Sequence, residues 1–220
     1  MASTEDNPSI SSPSLASLVP AICALCNLLK ASQVPGAIIG GVAASLQGQA
    51  RATDDVDALL RLDERSLDHF LDMAMAEGFR PRIPDAVSFA RRSAVLLLEH
   101  KASRVGVDLT ICRLPFDFAA IERARAIVMG DLQFFVAAPE DLIIMKAIAH
   151  RPQDLQDIQA VVRANPQLDA GRVRAQVQEF ANLLDMPELW KDIAVFFQPS
   201  RSRVKKVRRG RTKSRRKKKE

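Results

Sequence analysis

Two aspartates stand two apart in Asp55-Val56-Asp57, a spacing with chemical meaning. In an extended strand alternate side chains share a face, so Asp55 and Asp57 present two carboxylates side by side while Val56 and Ala58 face the core. Such a pair repels itself. A divalent cation, Mg²⁺ or Mn²⁺, relieves the repulsion, because hard cations take carboxylate oxygens and keep positions open for phosphate. A third aspartate, Asp108, lies in the alternating run of residues 105–111, where Val105, Val107, Leu109 and Ile111 take one face and Gly106, Asp108 and Thr110 the other. An ionised carboxylate in such an apolar run is costly unless paired or metal-bound. Two carboxylates from one strand and one from its neighbour suit two-metal phosphoryl chemistry. One cation holds a triphosphate; the other, with Asp108, lowers the pKa of an acceptor hydroxyl for in-line attack on the α-phosphorus.

Gly40-Gly41 lie upstream of the pair. Glycines let backbone N–H groups and the following helix N-terminus approach phosphate oxygens closely. Lys146 is the only cation among the apolar residues 142–149, so it either faces a ligand or snorkels at a helix edge. Arg51 and Thr53 either meet the same ligand or brace the loop before the Asp pair. Arg151, Asp154 and Asp157 either support the site or form ion pairs between consecutive helices. The three histidines, His69, His100 and His150, have no partner nucleophile.

On these residues the chain resembles the nucleotidyltransferase superfamily and, within it, the abortive-infection toxin (AbiEii-like) and related minimal nucleotidyltransferases. The motif is carried by Gly40, Gly41, Gly48, Arg51, Thr53, Asp55 and Asp57, and a second matching stretch, residues 138–158, carries Lys146, Arg151, Asp154 and Asp157. The likeness covers residues 36–163. It implies an α/β (α+β) fold with a mixed β-sheet flanked by helices, an NTP donor and a divalent metal. It further implies Asp55, Asp57 and Asp108 as metal ligands, with Gly40, Gly41, Ser45, Arg51, Thr53 and Lys146 around the NTP. Many superfamily members carry Ser directly after the second glycine; here the residue is Val42, with Ser45 one turn on.

These residues need elements to position them. Residues 14–31 read as a helix closed by the turn Gln33-Val34-Pro35-Gly36. Residues 37–39 read as a strand, 42–46 as a short helix and 56–61 as the next strand. Asp63 or Ser66 caps a helix that runs to Ala76 and stops before Gly78. Strands follow at 94–99 and 104–112, a helix at 116–126 and a strand at 132–137. Helices then fill 140–150, 153–164, 170–184 and 187–197. The resulting division is a leading segment 1–35, a core 36–137, C-terminal helices 138–198 and a basic tail 199–220.

At 220 residues, with 47% hydrophobic and 26% charged residues, the chain is of a size and composition for one catalytic unit. Residues 15–31 contain Pro20 and Asn27 and follow Glu5 and Asp6, so they do not read as a signal peptide, and a cytoplasmic location without membrane contact is expected. Cys23, Cys26 and Cys112 read as buried structural thiols. Residues 201–220 hold thirteen Lys or Arg against one Glu, a net +12, so the whole-chain +6 leaves residues 1–200 at −6. Such a tail stays disordered. It either binds nucleic-acid phosphates or serves solubility or ribosome association. Three functions compete. The first is transfer of a nucleotide to RNA, such as tRNA, or to protein, as a toxin with an antitoxin partner. The second is modification of a small antibiotic such as an aminoglycoside or lincosamide, and the third a catalytically degenerate nucleic-acid-binding module.

Overall fold

The computed structural model describes residues 13–130 and 132–198. Residues 1–12, most of the Ser- and Pro-rich stretch 1–14 for which mobility is expected, and the basic tail 199–220, expected to be disordered, lie outside the described residues. In chain order the elements are α1 (Pro13–Ala16), α2 (Val19–Ser32), β1 (Gly36–Ile38), α3 (Gly40–Gln47), β2 (Asp55–Leu60), α4 (Leu67–Ala76), β3 (Phe79–Pro81), α5 (Ala86–Ser93), β4 (Val95–His100) and β5 (Val105–Ile111). They continue as α6 (Pro115–Glu122), β6 (Arg125–Met129), β7 (Leu132–Val136), α7 (Pro139–Ala149), α8 (Pro152–Ala164), α9 (Ala170–Leu184) and α10 (Glu188–Ile193). Among the described residues seven strands form one sheet in the order β3-β4-β5-β2-β1-β7-β6. The pairs β2–β5 and β1–β7 are parallel and the others antiparallel, so the sheet is mixed and flanked by helices.

One face of the sheet carries the main core. Val56, Ala58 and Leu60 on β2 and Val107, Leu109 and Ile111 on β5 pack there with Leu96 and Leu98 of β4, under Ile22, Leu25 and Leu28 of α2 and Phe70 of α4. The alternation of residues 105–111 is reproduced residue by residue in burial, because a strand with one covered face turns every second side chain inward. The opposite face is only partly covered. A small cluster of Leu59, Cys112 and Ala120, with Ile39, Phe118, Ile121 and Met145 against it, caps it where α6 crosses.

Two regions depart from the expectation. Residues 79–93, unassigned from sequence, form β3 and α5; a three-residue strand containing Pro81 shows no periodicity, and only its pairing with β4 defines it. The helix expected over 116–126 ends at Glu122, and Arg125 begins β6, paired antiparallel with β7. The small and apolar residues 119–121 and Ala124 extend a helical pattern that tertiary pairing overrides. The thiols differ too: Cys112 is buried, but Cys23 and Cys26 are only partly so. Among the described residues no helix is long and apolar enough to cross a membrane.

The C-terminal helices are tied to the sheet by a buried carboxylate. Asp141, 0% exposed at the start of α7, accepts hydrogen bonds from Arg123 after α6 (3.0 and 2.8 Å) and from Arg172 on α9 (2.8 and 3.4 Å). Burial pushes this carboxyl up, but the two guanidinium groups outweigh burial and hold it below the usual carboxylate range. A lowered folded-state pKa contributes stability above the unfolded value of about 3.9, and that stability is lost as pH falls below it. Asp141→Asn is therefore expected to lower the unfolding free energy at pH 7 by about 3–5 kcal/mol, the range for breaking one partner of a buried ion pair. Urea denaturation at pH 7 and at about pH 3 checks this: the gap between variant and wild type should narrow at the acid end.

Candidate active site

The parallel register of β2 and β5 sets Asp55 opposite Gly106, and Asp57 opposite Asp108. All four lie on the face away from the main core, so the three aspartates share one surface. Two rows of side chains result. One runs Arg80, Glu99, Gly106, Asp55 across β3, β4, β5 and β2; the next runs from Leu97 through Asp108 to Asp57. Arg82 extends the second row, because its N–H is bonded to the carbonyl of Leu97 at 3.0 Å.

On one flank of this surface the chain leaves β1 and enters α3 at Gly40, with Ile39 N–H bonded to the Asp57 carbonyl at 2.9 Å. Gly40 has φ of +64°, and a Cβ there would lie 1.9 Å from Asp57 Oδ2; a Cβ at Gly41 would lie 2.4 Å from Thr53 Oγ1. The glycines are thus required by the protein's own carboxylate and hydroxyl, where the sequence alone points to phosphate approach. The Gly41 N–H lies close enough to the Asp57 carboxylate to favour its charged form. Thr53, buried, donates to Asp55 Oδ1 at 3.2 Å.

Burial raises the Asp57 carboxyl to about 6, with repulsion from Asp55 and Asp108 adding to it and the Gly41 N–H and Lys146 opposing it. Burial also raises Asp108, against the pull of Arg82. Arg82 Nη2 bonds Asp108 Oδ1, and a Cβ at Gly106 would come within 3.3 Å of Arg82 Nη1, so that glycine leaves the room the guanidinium occupies. Arg82 was missed from sequence. Its place follows from the pairing of β3 with β4, which brings the Arg82 N–H to the Leu97 carbonyl.

The remaining candidates form a second network. Arg51 donates to both Asp157 oxygens (2.7 and 2.9 Å), and Lys146, 5% exposed, donates to Asp157 (2.6 Å) and Asp154 (3.0 Å). Arg151 closes the chain onto Asp154 at 2.7 Å. Burial pushes Asp154 and Asp157 up, but the bonds from Arg151, Arg51 and Lys146 prevail and hold both low. Ser45 Oγ donates to the Arg51 carbonyl at 3.3 Å. The loop before β2 is therefore clasped to α7 and α8, and of the alternatives for Arg151, Asp154 and Asp157 the ion-pair arrangement between helices is present.

The donor set suits a divalent cation: Asp55, Asp57 and Asp108 offer oxygen ligands on one face, and their mutual repulsion calls for positive charge. Among the described residues no three such side chains already stand as a ligand group, and Asp108 is bonded to Arg82. A cavity of about 570 Å³ opens between α2, β1 and β7, lined by Leu25, Leu29, Ile38 and Phe134. None of the three carboxylates lines it, so it is not assigned to the chemistry.

A family model described as "Nucleotidyltransferase of unknown function (DUF6036)" matches residues 21–191. No curated protein matches the chain. Among solved structures the chain is similar to the antibiotic-resistance factor ANT(2'')-Ia in solution, with 15% identity over 80% of this chain and 96% of that one and a TM-score of 0.55. A structure of ANT(2'')-Ia with adenylyl-2''-tobramycin shows 17% identity over 76% and 99% of the two chains, with a TM-score of 0.53. An antigenic nucleotidyltransferase-like protein from Paracoccidioides brasiliensis gives 16%, 84%, 94% and 0.50. At these identities the likeness establishes the fold: the mixed sheet and its helices are those of nucleotidyltransferases.

The raised Asp57 carboxyl has a sign that can be measured. A carboxyl whose folded pKa lies above its unfolded value stabilises the fold at low pH, and that contribution is lost as pH rises through about 6. In the presence of a chelator, Asp57→Asn is expected to stabilise the protein by about 2 kcal/mol at pH 8 and by much less at about pH 4. Urea unfolding at the two pH values checks it; equal effects at both would remove the electrostatic account.

Proposed function

Because the chain belongs to the DUF6036 family of nucleotidyltransferases, matched over residues 21–191, we propose that it moves a nucleoside monophosphate from an NTP to a hydroxyl acceptor. The observation that carries this reading is the register of β2 with β5, which aligns Asp57 with Asp108 and leaves Asp55 beside them on an open face. Asp55, Asp57 and Asp108 would hold divalent cations, Mg²⁺ or Mn²⁺, which when bound neutralise the carboxylates and polarise the phosphate oxygens. Asp108, made more basic by burial, takes the proton of the acceptor hydroxyl. The acceptor oxygen then bonds to the α-phosphorus as the bond from that phosphorus to the β-bridging oxygen breaks, and pyrophosphate leaves. The first turn of α3 at Gly40 and Gly41 faces the triphosphate, where the partial positive charge of a helix N-terminus favours anions. Arg51, Thr53, Ser45 and Lys146 act on the NTP through position: they lock the loop that delivers Asp55, and the Lys146 charge moderates Asp57.

RNA, such as a tRNA, is the acceptor this reading favours, because residues 201–220 carry a net +12 and phosphate backbones are the natural partner of such a segment. The motif's likeness to AbiEii-like toxins extends the reading to a toxin with an antitoxin partner. A second acceptor, a small antibiotic, is suggested by the adenylyl-2''-tobramycin in the ANT(2'')-Ia complex. A cationic drug gains nothing from a polycationic segment.

Incubation with labelled NTPs, Mg²⁺ and total RNA should label RNA. Asp57→Ala and Asp108→Asn should reduce the signal to background, as should a chelator. Wild type and Asp57→Ala behaving alike would end the enzyme reading. Removal of residues 199–220 should weaken labelling of RNA; a drug acceptor labelled equally well with and without them would favour the second reading.

A further inference from the structure

The catalytic face continues past Asp108 onto β4 and β3. Arg80 bonds Glu99 Oε1 at 2.8 Å, and Arg104, before β5, reaches the same oxygen at 3.1 Å. Each guanidinium still turns toward water, with side chains 45% exposed for Arg80 and 66% for Arg104. Arg82 lies in the next row, over Gly106 and on Asp108. Three guanidinium groups thus border the carboxylates on one side, with Glu99 as the acidic partner of two of them.

The sheet order assigns the two flanks of the site. Gly40, Gly41 and α3 follow β1 and stand on the β1 side of Asp57; β5, β4 and β3 lie on the other side. With the triphosphate on the glycine flank, the acceptor reaches Asp108 across β4 and β3, past the arginines. Were a cation held at Asp108, Arg82 would be free of it, and its planar fork fits two phosphate oxygens at once. A cationic acceptor meets repulsion on this flank, and an anionic one meets attraction.

We propose that Arg80, Arg82 and Arg104 form a phosphate-binding edge that seats the sugar-phosphate backbone of an RNA acceptor beside Asp108. The orientation rests on the nucleotidyl-transfer reading; the charge pattern of the edge does not.

The test is binding of a fluorescently labelled single-stranded RNA dodecamer to the full chain in Mg²⁺, followed by anisotropy over a range of salt. Residues 199–220 are common to every variant, so they leave differences between variants intact. For Arg80→Gln/Arg104→Gln, affinity is expected to fall about tenfold, and the slope of log K against log salt to flatten by about 1.4, or 0.7 for each lost single-strand phosphate contact. Glu99→Gln should raise affinity severalfold, which guards against a double variant that misfolds. Unchanged affinity and slope in both variants, with wild type still labelling RNA, would overturn the edge and leave the transfer reading standing. A changed slope with no acceptor labelled by wild type would uphold the edge and sink the transfer reading. Tobramycin labelled faster by the double variant, with RNA binding intact, would also overturn it.

Discussion

Like charge placed deliberately side by side is the constraint on which this structure turns. The parallel pairing of β2 with β5 sets Asp57 directly opposite Asp108, with Asp55 two residues away on the same face. Three carboxylates in that arrangement cannot all be ionised and left alone, so the surroundings are built to answer them. The Gly41 N–H, the Lys146 charge and the Arg82 guanidinium each reach one of the three directly or through the field. Room for the closest of these comes from residues without side chains, at Gly40, Gly41 and Gly106.

A second set of charges is handled in the opposite way. Asp154, Asp157 and Asp141 are buried and fully answered by Arg151, Arg51, Lys146, Arg123 and Arg172, and all three are held low. These pairs fasten the loop before β2, and the helices behind it, to one another. The two sets differ in which force prevails: where burial wins, as at Asp57, the neutral carboxyl is favoured; where hydrogen bonds win, as at Asp157, the charge is kept and fixes position.

Much of this was legible in the chain. The alternation of residues 105–111 and the Asp-Val-Asp spacing carry both strands of the carboxylate face, because a covered sheet face imposes period two on sequence. The bounds of β2, β4 and the C-terminal helices differ from expectation by a few residues at most. Arg82 was not legible: its place depends on β3 pairing with β4, a long-range register that a three-residue strand containing proline does not announce. The engagement of Lys146 with two aspartates was open for a similar reason. Spacing along α7 shows that a lone cation is buried, and only the packing of α8 against it shows with what.

Arg82 has one guanidinium and two competing uses for it. While it clasps Asp108 it sets a positive charge against the three carboxylates. Whatever displaces it from the carboxylate also frees a donor fork at the rim of the same surface, so loading of the centre and capture of an anion are linked events. Linkage of this kind runs in both directions: each occupant strengthens the hold on the other by the same factor. A single side chain would then couple a cation at the carboxylates to an anion at the rim without any movement of the fold.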